Sequence, residues 1–404
     1  MLTALEQGVR GGRWYTLMDK VDALPTLRAA FARVKANRGA AGVDHVTVAM
    51  FEARLDANLT ALAAALRDGT YRPQGIRRHW IPKGPRERRP LGMPTVRDRV
   101  VQTAVRLVLE PIFDVTFAPS SSGFRPGRGA KDALAHVDQL LRAGYGYVVD
   151  ADLRAYFDTI PQAPLQALVA SKISDGRVLT LVNAFLQQPI FEGLTQWRVE
   201  AGTPQGAVIS PLLANLYLDP LDHAMAEAGF EMVRYADDFV ILCRSAEDAA
   251  RALDRVRRWT QTAGLQLHPE KTHLVDMQQP GGFDFLGYHF ERSRRWPRQK
   301  SLQKLKDTVR RKTRRTNGRS LSFVIADVNR TLTGWLQYFK DSHGSFDGLD
   351  AWIRTRLRSL LRNRAGFNRA PQKDYQRWPN RFFTAQGLFS LAHAHAAARQ
   401  SCVR

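Results

Sequence analysis

The sequence predicts an α+β fold, with helices and antiparallel strands mixed through the first three quarters and helices alone in the last. Three observations carry this expectation. Tyr235-Ala236-Asp237-Asp238 lies between the apolar runs Met232-Val233 and Phe239-Val240-Ile241-Leu242, the pattern of two buried strands joined by a tight turn. Tyr147-Val148-Val149-Asp150-Ala151-Asp152-Leu153 is a second strand, in which Asp150 and Asp152 share one face by the two-residue period. Residues 301–404 repeat apolar positions at helical spacing and carry 21 Lys and Arg against 6 Asp.

The chain has 404 residues, enough for two to four domain-sized units. Its 44% hydrophobic and 24% charged residues are ordinary for a globular protein. The charge balance is not: 60 Lys and Arg face 38 Asp and Glu, a net +22, and +15 of it lies in residues 301–404. A polyanionic partner explains such an excess, and nucleic acid is the usual one. No apolar run reaches the roughly 18 residues needed to span a membrane. Residues 1–15 lack the apolar stretch of a secretion signal. Two cysteines, Cys243 and Cys402, form neither a Cys-x-x-Cys pair nor a disulfide framework, and fit a reducing cytoplasm. The charge shift suggests a boundary near residues 291–300.

Taken in order, Leu24 to Asn37 reads as a helix with Leu27, Phe31 and Val34 inward, broken by Arg38-Gly39. Phe51, Leu55, Leu59, Leu62 and Leu66 continue at helical spacing to Gly69. The runs Arg77–Lys83 and Arg86–Gly92 flank Gly84-Pro85, a hairpin with six Lys and Arg between Arg77 and Arg89. Lys83 and Arg89 are candidates to grip a triphosphate, or belong to a generic basic hairpin on backbone phosphates. Thr95 to Phe113 is helical. In Gly123-Phe124-Arg125-Pro126-Gly127-Arg128, glycines beside Arg125 and Arg128 suit a phosphate strand, and equally a plain turn. Gly202-Thr203-Pro204-Gln205-Gly206 leads through Ser210-Pro211 into a helix expected to stop near Leu218, before Asp219-Pro220. Gln205 and Gly206 face a cleft, or only cap that helix.

Ser245-x-x-Asp248 starts the next helix, with Ala249, Ala252, Leu253, Val256 and Trp259 inward, and Gly264 ends it. Leu265-Gln266-Leu267 reads as a short strand and His268–Thr272 as a turn. Lys271 there is a candidate general acid toward a departing pyrophosphate, or a solvated lysine. Phe283–Tyr288 is a further buried strand or hairpin. Beyond it, three helices carry Leu302, Leu305 and Val309, then Phe323 to Phe339, then Trp352 to Leu361. Their apolar stripes read as bundle core. The arginines around them, Arg310, Arg311, Arg314 and Arg315 among them, read as a phosphate-backbone surface. His393 and His395 read as incidental.

Two adjacent aspartates at a turn crowd like charges, which is costly unless a cation neutralises them. Hard carboxylate oxygens suit Mg²⁺, and one more carboxylate at the end of the 147–153 strand would complete the set used in two-metal phosphoryl transfer. In isolation the pair reads as a turn that merely stays wet, and the rest of the chain is what favours the metal reading.

The ordered set of motifs resembles a known family. Asp152 with Phe157, Thr203-Pro204-Gln205-Gly206, Tyr235-Ala236-Asp237-Asp238, Gly264-Leu265 with Lys271, and Phe285-Leu286-Gly287-Tyr288 stand in the order of reverse-transcriptase palm motifs. Arg89–Pro94 and Gly123–Gly127 look like the fingers motifs of bacterial group II intron reverse transcriptases. Thr331–Phe339 looks like their maturase, or thumb, domain. The resemblance implies a right-hand polymerase: fingers at 1–145, a palm with an antiparallel sheet at 146–290, and a helical thumb at 291–362. The basic segment 363–404 is left as a candidate DNA-binding appendage.

The same resemblance implies two Mg²⁺ ions on Asp152, Asp237 and Asp238, with Asp150 and Asp158 outside the ligand set. It implies triphosphate contacts from Lys83 and Arg89, a steric gate at Phe157 that favours dNTPs, and Gln205 and Gly206 beside the nascent base pair. One departure stands out: a His- and Cys-rich endonuclease domain is not seen before Arg404, so the chain resembles the compact lineage. The function implied is copying of RNA into DNA from a primer or a DNA target, with binding of group II intron RNA to assist splicing and mobility. Alternatives are a host-adapted enzyme of DNA repair or phage defence, and a non-catalytic RNA-binding splicing factor.

Overall fold

The computed structural model describes residues 12–82, 88–193, 195–197, 200–366 and 373–401. The chain divides into two compact units, Met1–Val275 and Asp276–Arg404. The division falls upstream of the charge shift at 291–300, because the strands before that shift pack with the later helices.

In the first unit the Leu24–Ala36 helix forms as expected, with Pro25 in its first turn and Leu27, Phe31 and Val34 buried. The stretch expected as one helix through Phe51 and Leu66 is two, Val48–Glu52 and Leu55–Arg67. Thr47 caps the first of them, and Gly69 closes the second at φ +69°. β1 (Ile76–Pro82) and β2 (Arg88–Met93) pair antiparallel as the expected hairpin. Lys83 and the turn with it lie outside the described residues. Thr95 then caps Val96–Asp114, whose Val100, Val101, Ala104, Val105, Val108 and Leu109 are fully buried. This helix is the spine of the unit's core.

β3 (Tyr147–Asp152) follows, then β4 (Ile190–Glu192) and β5 (Thr195–Trp197). β4 runs parallel to β1 and antiparallel to β5, giving a four-stranded sheet in the order β2-β1-β4-β5. β6 (Glu231–Tyr235), β7 (Asp238–Cys243) and β8 (His273–Asp276) join β3 in a second sheet, ordered β6-β7-β3-β8. β7 pairs antiparallel with both β6 and β3. Val148, Val149, Phe239, Val240 and Ile241 are fully buried, since helices pack on this sheet.

Two expectations fail here. The helix starting at Ser210 does not stop before Pro220 but runs to Glu227. Proline deletes one backbone hydrogen bond, but Leu221, Asp222 and Met225 are buried beyond it, and that burial outweighs the loss. Ser210 is its first residue rather than its cap, and its hydroxyl donates to the Pro204 carbonyl. Leu265-Gln266-Leu267 makes only a single bridge, Leu267 to Leu153, not a strand.

In the second unit β9 (Phe283–Phe285), β10 (Tyr288–Glu291) and β11 (Arg294–Pro297) form an antiparallel meander. Each turn is two residues long and left-handed, Leu286-Gly287 and Arg292-Ser293, as tight hairpins require. The helices Gln299–Lys312, Leu321–Phe339 and Asp347–Arg364 build one core from Val309, Val328, Leu332, Ile353 and Leu357. Residues 374–401 are not a free appendage: Phe383 and Leu391 are fully buried in that core. The Asp350 carboxylate accepts from the backbone N–H of Leu391 and Ala392 and so caps the last helix from a distance. His395 is structural too, bonded to the Ser342 carbonyl and packed on Phe346. No described helix is long and apolar enough to cross a membrane.

Candidate active site

The two-residue turn Ala236-Asp237 joins β6 to β7, with Tyr235 opposite Asp238. Ala236 sits at φ +61°, which lets the strands reverse in the shortest loop. β3 lies on the other side of β7, and its last residue, Asp152, is the register partner of Asp238. Directly opposed residues on antiparallel strands lie about 4.5–5.5 Å apart at Cα. Asp152 and the adjacent pair Asp237-Asp238, far apart in sequence, therefore lie at one end of one sheet.

The electrostatics show the crowding. Burial raises the Asp237 carboxyl above the usual range and the Asp152 charge adds to it, while Arg89 and Arg234 act against the rise. Lys271 supplies a counter-charge, its Nζ 2.5 Å from Asp152 Oδ2. The turn carrying it is tied on by the His268 N–H, which donates to the Asp152 carbonyl. Among the described residues no three His, Cys, Asp or Glu side chains form a ready-made metal cage. The donors nevertheless fit a hard divalent cation: they are oxygen-only and share one sheet end, where the crowding of Asp237 by Asp152 favours added positive charge.

Sequence reasoning missed what braces the turn. Arg234 is fully buried and ion-paired with Asp222, its Nε 2.8 and 3.0 Å from the two carboxylate oxygens. Its Nη1 donates to Asn215 Oδ1 and to the carbonyl of Ala236, inside the turn itself. Asn215 in turn donates to the Gly123 carbonyl. The one available signal was a charged residue at a buried position of an apolar strand, which requires a partner that the sequence does not name.

The same region corrects the reading of Arg125. Its guanidinium is buried and donates to the carbonyls of Asp114, Ala118 and Ser121 and to the Asp114 carboxylate. Those bonds use it up as a loop clamp, so it does not present a surface to nucleic acid. Arg128 is exposed, with one Nη on the Pro119 carbonyl.

Beside the carboxylates, Gln205 bridges two elements. Its Oε1 accepts from Arg89 Nε at 3.2 Å, and its Nε2 donates to Asp158 Oδ2 at 3.1 Å. The Gly92 N–H donates to the Gln205 carbonyl at 2.6 Å, and a Cβ on Gly206 would meet the Gly92 carbonyl at 2.3 Å. Glycine at both positions is what lets β2 touch this loop. A pocket of about 260 Å³ opens here, lined by Arg78, Gly92, Asp158, Trp197, Thr203 and Gln205. Phe157 lies alongside, 9% exposed, with the Thr203 N–H donating to its carbonyl.

In the second unit Arg310, Arg311, Arg314 and Arg315 lie along one helix and the turn after it, and all four are exposed. Arg310 pairs with Asp307 and Arg315 donates to Ser359. Burial lowers the neighbouring Arg356, and the charges of Arg310 and Arg315 lower it further, the mark of a concentrated cationic face.

Comparison with known proteins agrees with this arrangement. Residues 81–290, more than half the chain, match the family described as reverse transcriptase (RNA-dependent DNA polymerase). Residues 302–378 match the group II intron, maturase-specific domain. Protein YkfC of Escherichia coli K12 is 33% identical over 293 residues, covering 63% of this chain and 76% of YkfC. Group II intron-encoded protein LtrA of Lactococcus lactis is 36% identical over 196 residues, covering 48% of this chain and 32% of LtrA. An uncharacterized 91 kDa protein in a cob intron of Schizosaccharomyces pombe is 40% identical over 149 residues, covering 36% of this chain and 18% of that protein. The fold, the motif order and these matches agree that the chain belongs to the reverse transcriptase family, as an α+β polymerase joined to a group II intron maturase-specific domain.

Proposed function

We propose that this reverse transcriptase extends a DNA primer 3′-hydroxyl with dNTPs on an RNA template, and that Asp152, Asp237 and Asp238 are its catalytic metal ligands. The observation that carries the reading is the register of Asp152 against Asp238, with Asp237 on the adjoining turn. Two Mg²⁺ ions, when bound, would supply activation of the attacking hydroxyl and neutralisation of the triphosphate. The protein's own residues do the rest. Arg89, oriented by Gln205, grips the triphosphate as a planar fork, with Lys83 as its partner. Phe157 fills the space of a ribose 2′-hydroxyl. Gln205 and Gly206 form the floor beneath the new base pair. Lys271 neutralises Asp152 and holds a proton at Nζ for the departing pyrophosphate.

The arginines 310, 311, 314 and 315 support binding of a folded group II intron RNA by shape and phosphate contacts, as an aid to its splicing and mobility. A cytoplasmic setting fits the free, buried thiol of Cys243. The test of the enzyme is extension of oligo(dT) on poly(rA). Wild type should extend and Asp237→Ala should not. Equal extension by both would remove the assignment.

A further inference from the structure

Phe124 is an aromatic residue in the left-handed region, at φ +59°, and is 42% exposed. A bulky side chain there is an outlier, and such strain persists only where the surroundings over-determine it. Here they do. Gly123 has no room for a Cβ, which would lie 2.2 Å from the Ala236 nitrogen. The Ser122 N–H donates to the Arg234 carbonyl at 2.9 Å. Arg125 gathers the carbonyls of Ala118 and Ser121. Backbone on both sides of Phe124 is therefore clamped, and the ring between them meets Phe157 edge to face, centroids 6.4 Å apart and planes at 78°. Phe157 also meets the buried Tyr156, at 5.6 Å and 65°, itself fixed by its hydroxyl on the Ala214 carbonyl.

We infer that Phe124 is a positioning residue for sugar selection: its ring edge holds the Phe157 ring upright against a ribose 2′-hydroxyl. This rests on the proposed role of Phe157 as the barrier to that hydroxyl. Excluding one oxygen atom requires a ring that does not tilt. The buried Tyr156 is one contact that resists tilting, and the exposed Phe124 is the second. The strained backbone at 124 is the cost of bringing that stop into contact.

The test is the ratio of dATP to ATP incorporation on an RNA template, with thermal melts run alongside. Phe124→Gly deletes the ring and accepts the positive φ without strain. Phe124→Leu keeps apolar bulk without the ring edge, and decides the matter if the glycine variant does not fold. Either should lower the ratio about three- to tenfold, the scale of one edge-to-face pair, while dATP turnover changes less. Phe157→Ala should lower it further, and adding Phe124→Gly to that variant should change nothing, since no ring is left to hold. If Phe157→Ala relaxes selection but both Phe124 variants keep the wild-type ratio, or if the double variant is additive, the inference fails and the gate stands. If Phe157→Ala itself keeps the wild-type ratio, the gate reading falls first.

Discussion

Gly123→Ala should disable the enzyme without touching a carboxylate. A Cβ at residue 123 would lie 2.2 Å from the Ala236 nitrogen, 2.9 Å from the Tyr235 carbonyl carbon and 3.1 Å from the Ala236 Cα. All three are backbone atoms at the turn that carries Asp237, so no side chain can swing aside. Restoring ordinary contact needs a retreat of about 1 Å by one loop or the other. The 123 loop cannot easily give way, because Arg125 and Asn215 hold it. The turn is braced as well, by Arg234 on the Ala236 carbonyl, so relief on either side strains the bonds that place Asp237, and a misplacement of about 1 Å at reacting groups costs on the order of 10²-fold in rate. The assay is single-nucleotide incorporation at saturating dNTP, paired with a thermal melt. Gly129→Ala is the control, since its Cβ would find its nearest neighbour at 3.9 Å. A Gly123→Ala enzyme within about threefold of wild type would refute the reasoning.

Asp222→Ala should leave Arg234 buried and unpaired, costing about 3–5 kcal/mol in denaturant unfolding. A loss below about 1 kcal/mol would deny the brace. Arg125→Gln should lower stability by about 1–3 kcal/mol yet leave the salt dependence of RNA binding unchanged, since its donors are spent on carbonyls. Neutralising Arg310, Arg311, Arg314 and Arg315 together should do the reverse, flattening the salt slope by about 0.7–0.9 for each phosphate no longer neutralised. Asp175 carries the pH prediction. Burial alone would raise its carboxyl, but the N–H groups of Leu17, Met18, Val178 and Arg177 bring it below the usual range. The ionised form is thus favoured by folding, and its contribution is present above pH about 4 and lost as pH falls through the lower folded value. Asp175→Ala should cost stability at pH 7 and progressively less below pH about 4. A penalty that does not vary with pH would reject that linkage.

The hairpin and strand that carry the candidate site were legible in sequence because their signals are local. A pair of aspartates between two apolar runs marks the hairpin, and an apolar run ending in Asp152 marks the strand beside it. The 3.6-residue spacing of Leu27, Phe31 and Val34 likewise placed a helix to within a residue. What stayed hidden is non-local. Arg234 and Asp222 are twelve residues apart on a strand and a helix, and no periodicity links them. Arg125 has the residue type of a phosphate contact, and only its burial among carbonyls shows that its hydrogen bonds are already spent. Pro220 has the local character of a helix end, and only the apolar residues buried beyond it carry the helix through. The terminal segment looks like a basic tail until Phe383 and Leu391 are seen in the core.

The central claim is that Asp152, Asp237 and Asp238 act as one ligand set. Titration of Mn²⁺ against the complex with RNA template, DNA primer and dNTP, followed by electron paramagnetic resonance, addresses it directly. The expected result is that Asp152→Asn and Asp237→Asn each lose the tight site seen in wild type, by about the same amount. Wild-type Mn²⁺ binding by Asp152→Asn, beside loss in Asp237→Asn, would contradict it.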